Sequence, residues 1–145
     1  KFTLNKLDND NSVILVTGGT FVGYNPADSK TEPTKANFVS VGYKITENNG
    51  SYTVATPDKK DVALIGTVAY QNLQEALNNA HHGETVLLVN NIKYENCNEA
   101  PLKYQAEDEN IEAILDLNGY TVSATLNNGK SISLIKVGNI NPDRK

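Results

Sequence analysis

The sequence predicts an all-β chain with one short α-helix, on three observations. Short runs rich in Val, Ile, Thr and Tyr recur along the chain, divided by clusters of Asn, Asp, Gly and Pro. One segment, residues 72–83, carries a helix signature from cap to stop. Three apolar runs ending in Asn90, Asn118 and Asn139 recur at offsets of about 28 and then about 21 residues, within the range of a solenoid repeat. On periodicity alone, a parallel solenoid and an ordinary mixed sheet fit equally well.

The elements follow in order. Phe2-Thr3-Leu4 reads as a strand, the polar residues 8–12 as a turn, and Val13-Ile14-Leu15-Val16 as a second strand running into a glycine corner at residues 17–21. Residues 22–37 form a surface loop with one turn of helix, opened by Asn25 as N-cap and Pro26 at the first helical position. Tyr43-Lys44-Ile45-Thr46 and Ser51-Tyr52-Thr53-Val54 alternate around Glu47-Asn48-Asn49-Gly50, which tolerates positive φ, so a β-hairpin is expected there. The charged, Pro-containing stretch 56–61 marks a boundary between residues 1–58 and 59–145.

The helix is read residue by residue. Asn72 is a favourable N-cap and Glu75 completes a capping-box variant, while Leu73, Ala76, Leu77 and Ala80 share one narrow apolar face. His81 and His82 fall in the expected last turn, and Gly83 supplies a left-handed stop. A helix of about ten residues is unstable alone in water, so it must dock on other structure. Thr85-Val86-Leu87-Leu88-Val89 then reads as a strand covered on both faces.

Composition narrows the function classes. With 13 basic and 17 acidic residues among 145, a net charge of −4, there is no basic patch of the kind that binds nucleic acid. Mean hydropathy is −0.43. No apolar run approaches the ~20 residues that span a bilayer. Cys97 is the single cysteine, which excludes an internal disulfide. The chain lacks Met and opens inside an apparent strand, so a piece of a longer polypeptide is expected.

Tyr70-x-x-Leu73-Gln74-Glu75-Ala76-Leu77-x-x-Ala80-x-x-Gly83-Glu84-Thr85-Val86-x-Leu88 resembles the N-terminal capping helix and first strand of right-handed parallel β-helix proteins of the pectin-lyase-like type. Ile114-Leu115-Asp116-Leu117-Asn118-Gly119-Tyr120-Thr121-Val122 is similar to the coil that follows this cap in large repeat proteins of gut-bacterial surfaces and in phage or prophage tail-type proteins. Gly18-Gly19-Thr20-Phe21-x-Gly23-Tyr24-Asn25-Pro26 and the 37–54 segment resemble the part that closes one such module. The resemblance spans roughly residues 13–138 and implies parallel β-helix-like solenoid coils with one capping helix and a terminal β-hairpin. Residues 1–58 would then close one module, and 59–145 would cap and begin the next. Residues 93–112 depart from the pattern and are expected to form an enlarged acidic loop.

The chemistry-bearing residues yield no catalytic, metal or cofactor site. Asp8, Asp10 and Ser12 resemble the start of a calcium loop, but Val13 and Gly19 stand where its glycine and bidentate Glu belong. His81 and His82 are adjacent and point about 100° apart on a helix, so they cannot grip one ion as an i, i+4 pair would. Cys97 has no neighbouring His or basic partner in sequence to activate it. The acidic crowd from Glu95 to Glu112 lacks the basic counterpart a polysaccharide lyase would need, and reads as solvated. The Asn49-Gly50-Ser51 sequon is explained by the hairpin tip.

Binding is the better expectation. Tyrosine outnumbers Phe and Trp together, and exposed Tyr beside Asn or Asp stacks on sugars and bonds to them. Tyr43, Tyr52 and Tyr70 hold strand positions expected to pack, whereas Tyr24, Tyr94 and Tyr104 lie in loop-like context and, with the acidic Glu107 and Asp108, are the candidate glycan contacts. The expected function is a non-catalytic structural and adhesive module of a large secreted bacterial surface protein. Its partners would be neighbouring modules and host or bacterial glycans. A phage tail or virion fibre segment is the alternative, and the non-catalytic part of a polysaccharide-degrading β-helix enzyme the third.

Overall fold

The computed structural model describes residue 4 and residues 12–29, 36–106, 112–127 and 133–139. The chain divides into two compact units, Lys1–Asp58 and Lys59–Lys145. Among the described residues it is mostly β, with eleven strands and one helix.

The first unit is an antiparallel sheet. Strand β1 (Gly19–Val22) pairs with β3 (Ser51–Ala55), which pairs on its other side with β2 (Lys44–Asn48). The expected hairpin closes over two residues, Asn49 (φ 48°) and Gly50 (φ 73°). Positive φ at both central positions is the turn whose twist matches two antiparallel strands. Val54 faces inward and is buried with Val16, Phe38 and Val39, while Phe21, Tyr43 and Ile45 pack around them.

Two expectations in this unit need correction. Residues 13–16 are not a strand: Val13 and Leu15 are exposed, and only Val16 makes an isolated parallel bridge, to Val39. The strand begins instead within the expected glycine corner, at Gly19. Asn25 and Pro26 open a turn rather than a helix, with the Asn25 side chain accepting from Ala27 N–H at 2.9 Å and the Asn25 carbonyl from Asp28 N–H at 3.2 Å. The strand expected at residues 2–4 and the calcium-like residues Asp8 and Asp10 lie outside the described residues, apart from Leu4, which is not in a strand.

The second unit contains the helix. Strands β4 (Ala63–Ile65) and β5 (Val68–Tyr70) form a hairpin, and α1 (Leu73–Asn79) follows. Asn72 caps α1 by accepting from Gln74 N–H at 2.8 Å and Glu75 N–H at 3.2 Å. Leu73, Ala76 and Leu77 are buried, as their shared face requires. The helix is one turn shorter than expected: Ala80 is already extended, and His81 and His82 lie beyond it. Gly83 keeps its left-handed φ of 79°, but within the turn that Glu84 N–H closes on the His81 carbonyl.

Six strands then run in two series. The first is β6 (Thr85–Leu88), β7 (Ile92–Cys97) and β8 (Leu102–Ala106); the second is β9 (Ile114–Asp116), β10 (Val122–Leu126) and β11 (Ile135–Asn139). Each member of the second pairs in parallel with its counterpart in the first. Thr85 stands opposite Ile114, Ile92 opposite Val122, and Leu102 opposite Ile135. Inward residues therefore stack in columns: Val86 with Leu115, Ile92 with Val122, Tyr94 with Ala124, and Leu102 with Ile135. β4 completes the sheet order β5-β4-β6-β9 by pairing antiparallel with β6. Among the described residues the sheets are small and do not join into one closed solenoid wall.

The pairing revises the repeat. The second Asn-ended run stacks on the first, but the third, in β11, pairs with β8. The offset of about 21 residues is therefore not a repeat. Asn90 and Asn118 both bond to backbone carbonyls of the preceding layer, Asn90 Nδ2 donating to the Asp61 carbonyl at 2.6 Å and Asn118 Nδ2 to the Leu88 carbonyl at 3.1 Å. Within 93–112, expected as an enlarged acidic loop, residues 93–97 and 102–106 belong to two strands, because Ile92, Tyr94, Leu102 and Tyr104 turn to the core while Lys93, Glu95 and Lys103 face outward.

Among the described residues, no helix is long and apolar enough to cross a membrane.

Candidate functional site

The three expected tyrosine contacts are mostly spent on packing. Tyr24 is half-buried, its ring 6.0 Å from that of Phe21, and its hydroxyl is buried without a hydrogen-bond partner. Tyr94 lies in β7 and Tyr104 in β8, not in loops, and both pack against the core of the second unit. The Tyr104 hydroxyl is also buried and unpartnered. Burial, and secondarily the neighbouring Cys97, raise the Tyr94 phenol above its ordinary value. Glu107 and Asp108 lie outside the described residues. Of the seven tyrosines only Tyr120 is exposed, and its place after Asn118-Gly119 in a turn is the signal that singles it out.

Polar side chains converge elsewhere, between α1 and the turn that joins β7 to β8. A β-bulge sets up that turn: Tyr94 stands opposite Ala124 but Cys97 opposite Leu126, so β7 carries one extra residue. Asn96 absorbs it with φ 55°, and a bulge of this kind bends its strand and re-aims the side chains beyond it. The following residues, Cys97, Asn98, Glu99, Ala100 and Pro101, form one wall of a cleft of about 530 Å³. Gln74, Asn78 and Lys103 form the other.

The second wall is held by one side chain. The Gln74 amide mimics a strand residue: its Oε1 accepts from Lys103 N–H at 2.7 Å and its Nε2 donates to the Lys103 carbonyl at 2.6 Å. It thereby closes the edge of β8 that faces the helix, which would otherwise offer unpaired backbone groups to another strand. Nε2 also donates to Asn78 Oδ1 at 2.7 Å, one helical turn further on. On the opposite wall Asn98 Oδ1 accepts from Asn127 Nδ2 at 3.3 Å, and Glu99 pairs with Lys103 Nζ at 3.4 Å.

Cys97 is a half-buried free thiol whose contact is the Glu95 carbonyl, 3.9 Å away. His82 ties the layers, its Nδ1 accepting from Glu112 N–H at 3.1 Å. Among the described residues, no group of three or more His, Cys, Asp and Glu is placed to hold a metal ion.

Compared with protein-family models, curated proteins and solved structures, the chain matches none.

Proposed function

We propose that this chain is a structural and adhesive module of a large secreted bacterial surface protein assembled from parallel β-helix units. One observation carries the reading. Three successive strands each take a parallel partner about one 30-residue layer later, which is how a coil stacks on the coil before it. Side chains bridge the same step repeatedly: Asn118 to Leu88, Thr121 N–H to Asn91 Oδ1, and Asn127 Nδ2 to the Asn96 carbonyl.

The ends of this stack differ. The α1 side is covered, with Val86, Leu88 and Leu102 of the first layer fully buried. The second layer leaves Ile114, Leu126 and Val137, one on each of its strands, exposed among the described residues, and this apolar exposure suits contact with a neighbouring unit. On this reading the function is rigid display, with no reaction carried out in the chain, and the location is extracellular.

A glycan array probed with the 145-residue chain tests the adhesive half. Selective binding is expected, and a blank array leaves only a spacer. Sequence surrounding the coding region tests the setting: a leader peptide and wall anchor are expected, whereas flanking virion genes would place the chain in a phage tail or fibre.

A further inference from the structure

We propose that the cleft between α1 and the 97–101 turn is the sugar-binding site of this module, and that it takes a neutral pyranose ring. The inference rests on the adhesive reading and places its contact surface away from the tyrosines. At about 530 Å³ the cleft is within the roughly 300–1,000 Å³ of small-molecule sites.

Its free hydrogen-bonding groups are the argument. Gln74 spends both Nε2 protons on Asn78 and the Lys103 carbonyl, and its Oε1 accepts from Lys103 N–H, so it builds the wall while its neighbours offer the free donors. Asn78 and Asn98 each use their side-chain oxygen within the protein and keep an amide N–H₂ for a ligand. The Glu99 carboxylate uses Oε1 on Lys103 and keeps its other oxygen, while the Lys103 ammonium keeps two further protons. Amide donors beside a carboxylate acceptor match adjacent ring hydroxyls, each of which donates once and accepts twice. Ala100 and Pro101 add an apolar surface for the C–H face of the ring. Because Glu99 and Lys103 offset each other, the cleft carries no net charge to select an acidic sugar or a phosphate.

The scaffold favours this place over the loops. Gln74 and Asn78 are on a capped helix and Lys103 on a strand pinned to it, so the groups are held before a ligand arrives. Preorganisation of this kind reduces the ordering cost of binding. A ligand of one ring is expected to bind with a Kd of about 1–10 mM.

The test is a titration of the ¹⁵N-labelled full chain with methyl β-D-glucopyranoside, methyl α-D-mannopyranoside and N-acetyl-D-glucosamine. The expected result is shift changes in the amides of Gln74, Asn78, Asn98, Glu99 and Lys103 with at least one probe. In the Asn98→Ala/Glu99→Ala double variant the affinity should fall at least tenfold, with thermal unfolding unchanged. Alkylation of Cys97, the sole thiol, should slow when the same probe is bound. Shift changes confined to other residues, or a double variant that binds as well as the parent, overturns the assignment. If the array is positive while these results are negative, the cleft is the wrong site and the adhesive reading stands. If array and titration are both blank, both fall.

Discussion

The β2–β3 hairpin and the β6–β9 ladder are both strand pairs, yet they are specified in different ways. The hairpin closes over Asn49-Gly50, and its register follows from the turn. The ladder sets Thr85 opposite Ile114, 29 residues away, so nothing local fixes it. Its register comes from columns of inward side chains and from polar groups such as Asn118 that reach back one layer. A hairpin needs little chain closure, whereas a layered pair must gather enough burial to offset the entropy of a long loop. The second unit should therefore be sensitive to core and cap changes, and the first to its turn.

Leu77→Asp tests this difference most severely. Leu77 is 5% exposed on the face of α1 that packs into the second unit's core, and the change sets an unpaired carboxylate there. A loss of about 3–5 kcal/mol is expected. Hydrogen exchange should show protection falling throughout β6 to β11 while the β2–β3 amides keep theirs. Equal loss in both units would show that they unfold together and that the contrast is one of topology alone.

Gly50→Ala probes the opposite side. An added Cβ meets nothing within 4 Å, so the cost comes only from holding a non-glycine residue at φ 73°. About 1–2 kcal/mol is expected, confined to the first unit. Ala at this place with no effect on the exchange of Thr46 and Thr53 would mean that the sheet, and not its turn, sets the register.

The same contrast explains what was legible in the sequence. The hairpin, the Asn72 cap and the buried face of α1 are local patterns and were all readable. The pairing of β8 with β11 was not, because Asn-ended runs are a weak marker of register and the acidic residues of 93–112 masked two strands. A better signal was present in Ile92-Lys93-Tyr94, Leu102-Lys103-Tyr104 and Ile135-Lys136-Val137, three apolar-Lys-apolar triplets that alternate as strands do. The cleft was harder to foresee. It depends on a bulge at Asn96 and on Gln74 meeting a backbone 29 residues away, and neither leaves a local pattern.

Gln74→Ala sharpens the account of the layered unit. It removes both bonds to the Lys103 backbone and reopens the helix-facing edge of β8. A cost of about 1 kcal/mol is expected, since the groups lie near water and can be partly solvated. The diagnostic readout is faster exchange at the Lys103 amide, with Leu102 and the helix unchanged. If exchange at Lys103 stays slow, the edge is covered by something other than this amide.

The smallest effect separates burial in the layered core from simple stacking. Tyr94 lies in a column with Ala124 of the next layer, and desolvation, with a lesser contribution from Cys97, raises its phenol above the ordinary value of about 10. The folded state therefore holds the phenol proton more tightly than the unfolded chain does. The associated stability is fully present below the unfolded value and is lost as pH rises through the folded one. Thermal unfolding of the parent should fall off more steeply above about pH 10 than that of Tyr94→Phe, while the two curves run parallel in neutral buffer. Identical profiles at high pH would mean that water reaches the Tyr94 hydroxyl freely, and the column would then be less closed than the stacking of Tyr94 on Ala124 requires.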